Sequence, residues 1–126
     1  MPVLTQPPSM GDILKYELNP NYSREVVTLL AGTAYPLGAV LGKITASGKY
    51  TLSAATGSDG AQTAVAVLLQ SVDATAADAT GIVLARGPTI VSRAGLVFDA
   101  SVDDGTKITT KLGQLAEAGI TARDGA

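Results

Sequence analysis

From Ala39 to Val91 the chain alternates short runs of Val, Ile, Leu and Ala with clusters of Gly, Ser and Asp. Apolar runs of this length, punctuated by residues that favour turns, specify β-strands joined by tight connections. Ala39–Thr45 reads as a strand, Ala46-Ser47-Gly48 as a tight turn and Lys49–Ser53 as its hairpin partner. A polar loop follows over Ala54–Gln62, where Asp59-Gly60 is a strong turn signal. Thr63–Val72 reads as one buried strand, with Val65, Val67 and Leu69 on one face and Ala66, Leu68 and Gln70 on the other. After a small-residue loop at Asp73–Gly81, strands at Gly81–Ala85 and Thr89–Val91 are broken at Arg86-Gly87-Pro88. Pro88 has no N–H to donate and demands an edge or a bulge. Upstream, Val26–Ala31 is a further strand ending at Gly32, and Tyr35-Pro36-Leu37-Gly38 turns the chain.

Helical spacing occurs once. Ile108, Leu112, Leu115 and Ala116 recur with a 3.6-residue period, Asp103 or Asp104 can cap the start, and Gly119 supplies the stop. Gly113 inside this segment costs about 1 kcal/mol relative to Ala, so the helix needs tertiary packing. Ile120–Arg123 then returns as a short edge strand. The fold class is α+β and β-rich: a small mixed β domain with one short C-terminal helix and an extended N-terminal arm. It divides into residues 1–25, an arm and lead-in, and 26–126, the β-rich body.

At 126 residues the body can bury roughly two-thirds of its unfolded surface. Aromatic content is only 4%, so the core is built from aliphatic side chains that each bury less area than Phe or Trp. Subunit association is one way for such a domain to hide more apolar surface. His, Cys and Trp are absent, which excludes nucleophile–His pairs, thiolate centres, Cys/His zinc sites and imidazole proton shuttles. Nine basic and eleven acidic residues give a net charge of −2 with no basic stripe, which argues against direct nucleic-acid binding. Neither a bilayer-spanning run nor a signal-peptide pattern is visible, and the lack of Cys fits synthesis in a reducing cytoplasm.

Pro2, Pro7 and Pro8 place half of the six prolines in the first eleven positions, which predicts an extended, poorly paired arm. Val3, Leu4, Met10, Ile13, Leu14, Tyr16 and Leu18 are apolar residues spaced along it. Either the arm packs loosely on its own domain, or it orders against a partner.

The remaining chemistry-bearing residues each have a plainer explanation. Asp73 and Asp78 flank a loop with too few oxygens for a calcium site. Asp103 and Asp104, at a helix start, satisfy backbone donors more readily than they form an acid–base pair. Gly38–Gly42 and Gly57–Gly60 lack the Lys-Ser/Thr ending of a phosphate loop. Lys43 and Lys49 on the two hairpin arms read as charges that discourage edge pairing. Arg86 and Arg93 stand beside strands in an apolar stretch, either on a solvated face or at a subunit or partner interface. No catalytic, metal or cofactor site emerges. A small β-rich ligand- or carbohydrate-binding module is an alternative, weakened by having only four Tyr and one Phe; a carboxylate-only glycosidase is remote.

Several runs together resemble the head decoration proteins of tailed phages and prophages, the phage lambda head decoration protein D family. They are Ser23-Arg24-Glu25-Val26-Val27, Gly38-Ala39-Val40-Leu41-Gly42-Lys43-Ile44, Ser47-Gly48-Lys49-Tyr50, Asp59 to Ala66, Val83 to Pro88, and Leu115 to Ile120. The resemblance covers about Tyr22 to Arg123. It implies a non-enzymatic homotrimer whose partner is the major capsid protein. Such a protein is made in the host cytoplasm and added to the outside of the expanded head at threefold sites, where it resists DNA pressure. It further implies an arm, by position Pro2 to Tyr16, that orders on the shell, with Val3, Leu4, Pro7, Pro8, Ile13 and Tyr16 as contact candidates. The lead-in Leu18–Gly32 and its strand have no obvious place in the lambda-type pattern.

Overall fold

A computed structural model describes residues 14–17 and 23–123. The expected hairpin is present: β4 (Val40–Lys43) pairs antiparallel with β5 (Tyr50–Leu52), and Gly48 takes the positive φ that the connection requires. This hairpin is part of a closed five-stranded barrel. Its staves are β2 (Arg24–Leu29), β5, β4, β6 (Ala64–Leu68) and β8 (Ala79–Leu84), in that order. Strand β2 runs antiparallel along β8 through six residue pairs, from Arg24 opposite Leu84 to Leu29 opposite Ala79. On its other side β2 meets β5 in parallel at Leu29 and Tyr50 alone, where the Leu30 N–H donates to the Tyr50 carbonyl at 2.9 Å.

Closure corrects one expectation. Because β4 and β5 each have two strand neighbours, Lys43 and Lys49 guard no open edge. Lys49 is instead ion-paired with Asp78 at 2.5 Å.

Successive side chains along a strand point to opposite faces, and along β4 and β6 both faces are largely buried. Leu29, Leu41, Tyr50, Ala66, Leu68 and Val83, one or more from every stave, form one apolar cluster that fills the barrel. Their neighbours Val40, Val67 and Leu84 belong to a second cluster with Val91, Leu115 and Ile120. That second core lies between the barrel and an outer layer of β9 (Thr89–Ser92), α1 (Gly105–Glu117) and β10 (Ile120–Arg123). The near-continuous apolar character of β6 follows from its position between the two cores.

Thr63–Val72 is not the single strand its composition suggests. The chain bends at buried Leu69 and exposed Gln70 and continues as β7 (Val72–Ala74), which leaves the barrel. There it pairs antiparallel with β3 (Thr33–Tyr35). The following stave starts at Ala79 and runs through Gly81, where a Cβ would lie 3.0–3.2 Å from side-chain atoms of Val72, Leu29 and Leu68. Interior packing, not a turn, calls for glycine at that position. Pro88 falls immediately before β9, so it removes no donor from the ladder.

Asp104 is the N-cap of α1, its carboxylate accepting from the Lys107 N–H at 2.8 Å. Asp103 pairs with the Lys107 ammonium one turn on, and Gly119 stops the helix at φ +89°. Leu115 is buried and Ile108 and Leu112 half-buried, but Ala116 is exposed and its expected place is taken by Lys111. The Lys111 side chain is 2% exposed, and its ammonium donates to Ser53 Oγ at 3.0 Å, to the Ala54 carbonyl at 2.6 Å and to the Gln62 carbonyl. Three donors meet three oxygens, so one helical residue fastens both ends of the 54–62 loop.

Gly113 faces open space, and a Cβ added there would have nothing within 4 Å beyond its own helix. Gly113→Ala is expected to stabilise the protein by about 0.5–1 kcal/mol, read as a rise of a few degrees in the thermal midpoint by circular dichroism.

Candidate docking surface

Strand β9 is the centre of a three-stranded sheet, with β10 parallel on one side and β1 (Leu14–Glu17) antiparallel on the other. Leu14 stands opposite Val91 and Glu17 opposite Thr89, with an irregularity between Leu14 and Tyr16. Leu14 packs against the outer core. Strand β1 is thus paired to the body, with Leu14 at the Val91–Ser92 end of β9. Arg123 on β10 is in register with Ser92 at that same end, and exposed Arg93 follows directly in a single 3-10 turn (Arg93–Gly95).

Glu17 fixes the other end of β1. Its side chain is 7% exposed and accepts from Ser23 Oγ at 2.5 Å, from Arg24 Nε at 2.9 Å and from Arg24 Nη2 at 2.7 Å. The fork-shaped guanidinium can satisfy both carboxylate oxygens at once. The Arg24 hydrogen bond holds the Glu17 carboxyl below its ordinary value, against the opposing effect of burial, and Glu17 in turn raises Arg24. A second pair lies close by along the chain: Arg86 Nη2 meets Glu25 Oε1 at 2.6 Å, fastening the end of β8 to β2. Burial, followed by the charge of Glu25, pushes the Tyr50 hydroxyl up, and Arg86 partly opposes this.

Of the candidate arm contacts, Val3, Leu4, Pro7, Pro8 and Ile13 lie outside the described residues, and Tyr16 is in β1 opposite Ile90. Arg86 and Arg93 are not brought together; they flank the two ends of β9, Arg86 beside the Glu17 end and Arg93 beside the Leu14 end. Asp73 accepts from the N–H and hydroxyl of Thr75 in a local turn, and Asp78 accepts from the Ala31 N–H. A shallow apolar depression is lined by Ala34, Tyr35, Pro36, Ser71, Val72 and Asp73. Tyr35 is nonetheless buried in the barrel core with its hydroxyl bonded to the Leu30 carbonyl, so it offers no exposed ring for a sugar to stack on.

Sequence reading missed Glu17, Ser23 and Lys111. Glu17 and Arg24 sit on different strands seven residues apart, a spacing that carries no local signal. Lys111 occupies a helical position that composition alone marks as solvent-facing.

The barrel interior is filled by apolar side chains, and β1 is paired to β9 on the outer layer. The sequence model of Bacteriophage lambda head decoration protein D matches residues 3–120. The chain belongs to that family. No curated protein matches it. As a lambda head decoration protein D relative it is a β-rich structural protein of the phage capsid, which decorates the head and is associated with the virion. The match begins at residue 3, further toward the N-terminus than the family-like runs that start at Ser23, and includes the lead-in Leu18–Gly32.

Proposed function

We propose that this protein adds as a homotrimer to the outer surface of the expanded head, at threefold positions, and fastens neighbouring capsomers against the pressure of packaged DNA. The observation that carries this reading is the family match over residues 3–120. A closed threefold ring needs one patch complementary to another on the same chain, and several arms tethered to one body bind with avidity beyond one alone. Residues 1–25 serve as arm and lead-in and residues 26–126 as the body. Val3, Leu4, Pro7, Pro8, Ile13 and Tyr16 reach the major capsid protein, while Arg86 and Arg93 belong to subunit contacts. The protein is synthesised in the host cytoplasm, performs no catalysis and contacts neither nucleic acid nor membrane.

Cosedimentation with expanded and unexpanded shells tests the reading. The full chain pellets with expanded shells only. Deletion of Met1–Gly11 leaves a body with an unchanged circular dichroism spectrum whose affinity for expanded shells falls at least tenfold. Equal binding to both shell forms sinks the lattice-specific reading, and undiminished binding after the deletion sinks the role of the arm.

A further inference from the structure

The lead-in, which the family match over residues 3–120 includes, makes two connections. Its strand β2 supplies a barrel stave, zipped to β8 over six pairs, and Ser23 and Arg24 grip the last residue of β1. Ser23 is 2% exposed, its carbonyl accepts from the Ala85 N–H at 2.8 Å, and its hydroxyl donates to Glu17. Arg24 begins β2 and forks onto the same carboxylate. Glu17 is the last residue of β1, at the opposite end of that strand from the point where the arm departs. A rigid stave therefore holds the arm root through one buried carboxylate.

We propose that the Glu17–Arg24–Ser23 cluster is a latch that positions the arm root on β9 and so fixes where the arm leaves the body toward its shell partner. The proposal rests on the reading of the arm as a shell contact. Glu17 is a positioning residue: it touches no partner, but sets the anchor from which the partner is reached. With the latch open, the chain preceding its first anchored residue lengthens from 13 residues to 22. Effective concentration falls roughly as the −3/2 power of tether length, so each arm engages about twofold less readily and several arms compound the loss.

Protonation should open the latch. The charged group facing Glu17 is Arg24 on β2, with the Ser23 hydroxyl beside it, and the Glu25–Arg86 pair is the next along the strand. Because the folded carboxyl titrates below its ordinary 4.5, the fastening is fully present above that value. It is lost as pH falls through the lower, folded value.

The test uses the full chain with Met10→Cys, a unique thiol because the sequence has no other Cys, labelled with a fluorophore. Anisotropy reports the anchoring of the arm, and cosedimentation with expanded shells reports binding. Glu17→Gln and Arg24→Gln are expected to lower anisotropy at neutral pH and weaken shell affinity about 2–10-fold. Ser23→Ala falls between them and the parent, and remains informative if a charge-removing variant fails to fold. The parent shows an acid step in anisotropy below pH 4.5 that Glu17→Gln lacks. Unchanged anisotropy in Glu17→Gln, or lowered anisotropy with parental affinity, overturns the latch. A parent that does not bind expanded shells overturns the reading beneath it instead.

Discussion

Gly87→Ala should lower the free energy of unfolding by about 4 kcal/mol or more, in the range where single substitutions are exceptional. A Cβ on Gly87 would stand 1.8 Å from the Gly119 carbonyl oxygen and 2.4 Å from its carbon, closer than unbonded atoms can approach. Neither side has a flexible chain to move. Gly119 is itself held at φ +89°, and its Cα is 2.9 Å from the same position. The crossing is stitched by two backbone hydrogen bonds, Gly87 N–H to the Ala118 carbonyl and Thr89 N–H to the Gly119 carbonyl, both at 3.1 Å. Separating the segments loses both and pulls β9 from the end of α1. Urea unfolding with an unchanged m-value is the measurement. A loss below about 1 kcal/mol would show that the crossing relaxes at little cost.

Lys111→Ala should cost about 3–5 kcal/mol, and Lys111→Met about 1–3 kcal/mol. The alanine variant leaves a cavity where the stem was and strips the donors from Ser53 Oγ and the Ala54 and Gln62 carbonyls. The methionine variant refills most of the volume but donates nothing. The difference between the two separates packing from hydrogen bonding. Burial lowers the Lys111 ammonium from its ordinary 10.5, with Asp99 opposing part of the effect. In the window between the folded value and 10.5 the unfolded chain binds more protons, so this residue makes stability rise with pH. Lys111→Met should flatten that rise, and hydrogen exchange at residues 54–62 should quicken in both variants. Parental exchange in the loop would show that its other ties suffice.

The sequence made the hairpin, the helix with its Asp cap and Gly stop, and the edge strand at Ile120 legible, because each rests on local chemistry. The Asp59-Gly60 turn belongs with them: Gly60 sits at φ +101°, where a Cβ would also meet Thr45 Oγ1 at 2.3 Å. What stayed hidden depends on partners distant along the chain. Barrel closure rests on Leu29 meeting Tyr50, and the break after Leu68 on β3 competing for β7. In β6 Val67 and Leu69 share one core and Ala66 and Leu68 the other, as alternation predicts, but Val65 packs with Ala66 and Leu68 instead of Val67, because the ladder to β4 is irregular there. In the docking region the buried carboxylate of Glu17 gave no sign, since Glu is ordinarily a surface residue.

Strand β9 has a topological consequence. Its neighbours run in opposite senses, so Leu14 and Arg123 come to rest on either side of the Val91–Ser92 step, two strand spacings, or roughly 10 Å, apart. Both backbones thereby cross the boundary of the body at one rim. A passenger domain spliced after Arg123 would start beside Leu14 rather than on the far face.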